Sequence, residues 1–173
     1  MIKAIIIDDE PGVRRMLSLL LKQCCPDIHV AGEADTVVSA YKIITEMKPD
    51  LVFLDIRMDD GTGFDLLQKF EKIDFHIIFI TAFEEYAVKA FRFSAIDYLL
   101  KPFDTDELIA SVDKLKHILS AEQDLRLDTL IRNVRGQGKE DKKIVLRTAE
   151  RFHFIRVSDI IHCAGDGNYT TFF

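Results

Sequence analysis

The chain has 173 residues, 48% of them hydrophobic, and a formal net charge of −6. That is enough apolar material for one good core plus a further segment, and the acidic balance argues against nucleic acid as a partner of the bulk of the chain. No run of eighteen uncharged apolar residues occurs and two aspartates interrupt MIKAIIIDDE, which excludes a membrane span or signal peptide in this sequence and predicts a cytoplasmic protein with no membrane partner.

Three cysteines, Cys24, Cys25 and Cys163, have neither disulfide nor metal-ligand spacing, which fits a reducing compartment. The charge is uneven. Residues 1–120 hold 14 Lys/Arg against 21 Asp/Glu, a balance of −7, and residues 121–173 hold 9 against 8, a balance of +1.

Strand-like and helix-like patterns alternate over the first 120 residues. Lys3 to Ile7 is a short buried-strand run, followed by Pro11 near a helix start and Val13, Met16, Leu17, Leu20 and Leu21 at helical spacing. Ile28 to Glu33 reads as a second strand and Val37 to Met47 as a second helix, closed by Lys48-Pro49. Leu51 to Leu54 is a third strand, Gly63 to Phe70 opens a third helix, Phe75 to Ile80 is a fourth strand, and Glu84 to Phe91 is helical. Asp97 to Leu100 is a fifth strand. Asp104 or Thr105 caps a fifth helix that begins at Asp106 and carries Leu108, Val112, Leu115 and Leu119. That stripe reads as core packing, with a helix-mediated dimer as the alternative.

Five strand-helix pairs of this length predict an α/β fold: a flavodoxin-like, doubly wound parallel sheet in the order 2-1-3-4-5, with helices on both faces. Beyond it come a helical and charged linker at 121–143 and a β-type segment at 144–173, in which Ile144 to Thr148 and Phe152 to Val157 flank a turn.

In such sheets the functional crevice lies outside the carboxyl ends of the strands. Asp8, Asp9, Asp55, Thr81 and Lys101 each fall just past a separate apolar run. Three carboxylates from neighbouring strands repel one another unless a hard cation offsets them, and Mg2+, which prefers oxygen ligands and phosphate partners, is the cofactor expected. A carboxylate nucleophile, a metal, the Thr81 hydroxyl with small Ala82 beside it, and the Lys101 ammonium make a site for forming and holding an aspartyl phosphate. Read alone, Asp8 and Asp9 would serve as helix caps before Pro11.

The blocks IIIDDEP, VFLDIRM and FITAFEEYAVKAFRFSAIDYLLKPFD, in that order, resemble the receiver domain of bacterial two-component response regulators over residues 1–120. The resemblance implies that Asp55 is the phosphoacceptor, that Asp8, Asp9, Asp55 and the backbone carbonyl of Arg57 hold the metal, that Thr81 and Tyr98 are the switch residues, and that Lys101, Thr81 and Ala82 bind the phosphoryl group. It also implies a sensor histidine kinase as phosphodonor. A homodimer on phosphorylation is expected through the surface carrying Ala90, Phe91, Tyr98 and the outer face of the fifth helix, because that surface is linked to Thr81 and Lys101 and has apolar material to bury. Phosphorylation would draw Thr81 inward and vacate volume for Tyr98.

The last block is similar to receivers of the LytR/AlgR type, and the stretch IIHCAGDGNYTT at 160–171 looks like the start of their LytTR DNA-binding module, in which a strand runs into a Gly-Asn-Tyr turn, here 167–169. Promoter DNA is then a partner only of a full-length protein, and no DNA-contacting residue is assigned in this chain. One departure stands out: Asp59 and Asp60 follow Met58 where receivers commonly have a proline, and they read as turn-formers rather than ligands. Two other classes compete, a stand-alone interaction module and an aspartyl-phosphate phosphatase. The second is weakened because such hydrolases place a general acid two residues after the nucleophile, where this chain has Arg57.

Overall fold

The computed structural model describes residues 1–134, 143–147, 152–156, 160–166 and 169–172. It divides into two compact units, Met1–Leu115 and Lys116–Phe173.

In the first unit five strands form one parallel sheet: β1 (Ile2–Ile7), β2 (Ile28–Ala34), β3 (Leu51–Leu54), β4 (His76–Thr81) and β5 (Asp97–Leu100). Their order is β2-β1-β3-β4-β5, as the alternating sequence pattern predicts. The three central strands are apolar because both their faces are covered, and Ile5 to Ile7, Leu51 to Leu54 and Ile77 to Ile80 are all buried.

Each crossover is a helix built for one buried stripe. Helix α1 (Pro11–Cys24) buries Leu17 and Leu21, with Pro11 at its first turn where a missing N–H does no harm. Helix α2 (Val37–Met47) buries Val37, Ala40 and Ile44 and is capped by Thr36, whose hydroxyl accepts from the Ser39 N–H. Helix α3 (Gly63–Gln68) starts from Thr62, paired reciprocally with Asp65. The fourth crossover is a short 3-10 turn at Glu84–Tyr86 followed by α4 (Ala87–Phe91). Helix α5 (Thr105–Val134) begins one residue earlier than the sequence predicts, and its cap is Asp104, which exchanges bonds of 2.8 and 3.0 Å with Glu107. Leu108, Val112 and Leu115 are fully buried, so this part of the apolar stripe is spent on the core.

Aromatic packing closes the side of the sheet beneath α3 and α4. Phe64 lies 5.3 Å from Phe79 and 5.4 Å from Phe93, and Lys89 sits over its ring. Ala90 is buried in this cluster, which corrects the expectation that it contributes to an exposed dimer surface. The Phe91 side chain lies outside the described residues.

In the second unit β6 (Lys143–Arg147) pairs antiparallel with β7 (Phe152–Arg156), in keeping with the period-two pattern there. A second antiparallel pair, β8 (Cys163–Asp166) with β9 (Tyr169–Phe172), stands where the sequence predicts a strand entering a turn. Residues 160–162, expected as part of that strand, precede it without regular structure; the expected turn at 149–151 and the first two positions of the expected turn at 167–169 lie outside the described residues, and Tyr169, expected in that turn, opens β9 instead.

Candidate functional site

Backbone register aligns the site before any side chain is considered. Ile7 pairs with Leu54 and Leu54 with Phe79, so Asp8 and Asp55 are each the next residue past the end of the same paired row. The Asp55 N–H donates to the Ile7 carbonyl at 2.8 Å, and the Lys101 N–H donates to the Thr81 carbonyl at 2.8 Å. Four strand ends are thereby held in one crevice.

Lys101 is the centre of the cluster. Its Nζ lies 2.7 Å from Asp55 Oδ2, 2.7 Å from Asp8 Oδ2 and 3.3 Å from Glu10 Oε1. Burial disfavours its charge, but the bonds from Asp55 and Asp8 outweigh that penalty and hold the ammonium above its ordinary pKa. The Lys101-Pro102 peptide is cis. Asp55 Oδ1 accepts from the N–H groups of Ile56 at 2.5 Å and Arg57 at 3.4 Å, which leaves the carboxylate oriented from both sides.

The carboxylates of Asp8, Asp9, Glu10 and Asp55 each offer a ligand atom within 4.8 Å of the others. Burial, followed by smaller charge effects that include Asp55, pushes the carboxyl of Asp8 above its usual range despite Lys101. Asp9 is raised too, by burial first and then by the charges of Asp55 and Asp59. An all-oxygen donor set of four carboxylates held this close fits a hard divalent cation. Asp8 is not spent on capping α1: its Oδ1 takes the N–H of Glu10, and α1 has no side-chain cap bond. Glu10 was not among the residues read from the sequence as part of the site, although a third consecutive acid ahead of Pro11 was the available signal.

Thr81 closes β4 and is fully buried, and among the described residues its hydroxyl oxygen has no hydrogen-bond partner. An unpaired buried hydroxyl is costly and calls for an explanation at a site of this kind. Ala82 beside it is exposed. Tyr98 packs against Phe79 and its hydroxyl already donates to the carbonyl of Phe83, two residues beyond Thr81. Burial and the charges of Glu85 and Asp55 push its phenol up to about 12. The guanidinium of Arg57 lies 4.2 Å above the Phe83 ring and donates to the Tyr86 hydroxyl at 3.4 Å, so its side chain faces the β4–α4 connection, not the acid cluster.

The loop after Asp55 follows the turn reading of Asp59 and Asp60. Arg57–Met58 and Gly61–Thr62 pair antiparallel around them. Asp60 has a further task that the sequence did not disclose: its carboxylate accepts from the N–H groups of Val37 and Val38 at 2.7 and 3.2 Å, at the start of α2. Gly63 is required behind the site, because a Cβ there would lie 2.5 Å from the Asp55 carbonyl oxygen.

Residues 4–113 match the family model of the response regulator receiver domain. Among curated proteins, the chain is 34% identical to the sensory transduction protein LytR of Staphylococcus haemolyticus, over 98% of this chain and 69% of that protein. It is 33% identical to the sensory transduction protein LytT of Enterococcus faecalis, over 90% of this chain and 62% of that protein. It thus spans roughly two thirds of the length of these relatives. Among solved structures, the REC domain of AraT, a response regulator from Geobacillus stearothermophilus, superposes with a TM-score of 0.64 at 31% identity, covering 70% of this chain and 98% of that one. A receiver model spanning most of the chain, relatives of the LytT and LytR kind and a parallel sheet with acids at its carboxyl rim give one consistent assignment: this chain belongs to the response regulator receiver family.

Proposed function

We propose that the chain is a phosphorylation-controlled switch of a bacterial two-component system, a cytoplasmic protein in which Asp55 accepts a phosphoryl group from a sensor histidine kinase. The observation that carries this reading is the convergence of Asp55 and Asp8 on Lys101 at 2.7 Å, beside a buried Thr81 hydroxyl that has no partner among the described residues. A P–O bond to an Asp55 oxygen forms as the donor's P–N bond breaks. The bond pair stays on the imidazole nitrogen, which takes up a proton from water. Lys101 then transfers from the Asp55 carboxylate to a phosphoryl oxygen while keeping Asp8, and Thr81 donates to another in the space left by Ala82. Asp8, Asp9 and Asp55, with the Arg57 carbonyl, would hold Mg2+, which when bound offsets the carboxylate charge and that of the phosphoryl oxygens.

Drawing Thr81 toward the phosphoryl group moves the backbone that carries Phe83, and Phe83 is the residue that Tyr98 and Arg57 both grip. That connection carries the change to α4 and β5 and promotes homodimerisation there, where Val88 and Leu100 are exposed apolar residues. Arg57, in place of a general acid, is consistent with a switch that does not turn over external phosphate esters. Residues 1–120 form the receiver, 121–143 a linker, and 144–173 the first part of a LytTR-type module. In a full-length protein that module binds promoter DNA. Among the described residues no helix is long and apolar enough to cross a membrane.

The test is Asp9→Ala, which should abolish both Mg2+ binding and phosphorylation by a small acyl phosphate. Phosphorylation at the wild-type rate in this variant would refute the assignment of the acid turn to the metal.

A further inference from the structure

Arg14, on the first turn of α1, is a polar group near the site with no role in the chemistry above. Its side chain is only 17% exposed. Nη1 donates to the main-chain carbonyl of Asp8 at 2.6 Å and to that of Asp9 at 3.2 Å, while Nε lies 3.3 Å from Oε2 of Glu33 near the end of β2. One planar guanidinium therefore ties two consecutive peptide groups of the acid turn to the neighbouring strand, and its rigid fork fixes the angle between them.

Two consequences follow from the choice of acceptors. Fixing the peptide groups of Asp8 and Asp9 fixes the directions in which their Cα–Cβ bonds leave the turn. Because Arg14 meets the acid turn only at main-chain oxygens, it adds positive charge beside the four crowded acids without occupying a carboxylate oxygen of any of them, whereas Lys101 occupies one on Asp8 and one on Asp55. We infer that Arg14, oriented by Glu33, is a positioning residue that holds the Asp8 and Asp9 carboxylates in the geometry a divalent cation requires. This rests on the metal reading proposed above.

The sign of a single measurement separates positioning from bare charge. If Arg14 acted only as a nearby cation, removing it would deepen the negative potential and tighten Mg2+. If it positions the turn, removing it loosens Mg2+. The experiment is calorimetric titration of the full chain with Mg2+ alone, at a temperature where circular dichroism shows every variant folded. Arg14→Ala should weaken Mg2+ about tenfold, the lower end of what outer partners of metal ligands contribute. Arg14→Lys, which keeps the charge and a donor but not the fork, should recover part of the loss. Glu33→Gln lies at the surface and keeps an acceptor oxygen, so it tests the same clamp if Arg14→Ala does not fold. It should weaken Mg2+ by a smaller factor, and adding it to Arg14→Ala should weaken binding no further.

Wild-type or tighter Mg2+ affinity in folded Arg14→Ala overturns the inference and leaves the proposed function standing. So does wild-type affinity in Glu33→Gln should Arg14→Ala not fold. No Mg2+ binding by the wild-type chain overturns both.

Discussion

Lys101 and Asp55 come from β-strand ends separated by one intervening strand, yet their side chains meet at 2.7 Å in a crevice where both are largely buried. Since Asp8 shares the same ammonium, the lysine compensates two carboxylates at once. Its pKa is raised in the folded state, so its contribution to stability is complete below the unfolded value of about 10.4 and is lost only as pH rises through the folded one. At neutral pH, Lys101→Met should therefore destabilise the metal-free protein by about 2 kcal/mol, because it leaves buried charges unpaired. Mg2+ should restore part of that loss. Urea denaturation with and without the metal measures both.

Asp9 follows the same linkage, but its raised pKa lies far below neutrality, so at pH 7 the group works against stability. Its folded pKa is raised by burial and then by Asp55 and Asp59, so the folded protein binds the proton more tightly than the unfolded chain. Stability from this group is present below the ordinary carboxyl pKa and falls as pH rises through the raised value. Without metal, Asp9→Asn should melt a few degrees higher than wild type at pH 7, and the gap should close as pH approaches about 4. Saturating Mg2+ should reverse the order, since only the wild type gains binding free energy. Calorimetric melting with a chelator, then with Mg2+, reads out both parts.

Asp59 and Asp60 are neighbours in sequence with different work. Asp60 accepts from two N–H groups at the start of α2, whereas Asp59 raises the pKa of Asp9 through its charge. Asp60→Ala should cost about 1 kcal/mol in urea unfolding, the usual loss for a helix N-terminal acceptor, and Asp59→Ala should cost nothing measurable. Equal losses in the two variants would mean that the carboxylate at α2 contributes no net stability.

The sheet and most of the crevice were legible because each site residue stands one step beyond a buried apolar run, and strand ends in a parallel sheet share a rim. Asp8, Asp55, Thr81 and Lys101 could be read that way. Contacts made across the fold could not. The bonds from the Val37 and Val38 N–H groups to Asp60 join positions 23 and 22 residues apart, and the pairing of Arg14 with Glu33 depends on how α1 lies over β2. The burial of Ala90 was not legible for a related reason. Helical spacing and residue type leave open which face of a five-residue helix is covered, and here Phe64, Phe79 and Phe93 form the cluster into which Ala90 packs. The bond from the Tyr98 hydroxyl to the Phe83 carbonyl joins positions 15 residues apart and is another contact of this kind.

The central claim is that Asp55 is the phosphoacceptor, and the most direct measurement is intact-mass and peptide analysis after incubation with Mg2+ and an acyl phosphate. The wild-type chain should gain one phosphoryl group, located on the peptide containing Asp55 and released by hydroxylamine as an acyl phosphate is, and Asp55→Asn should gain none. Labelling of Asp55→Asn to the same extent as wild type, or a phosphoryl group mapped to any other residue, would contradict it.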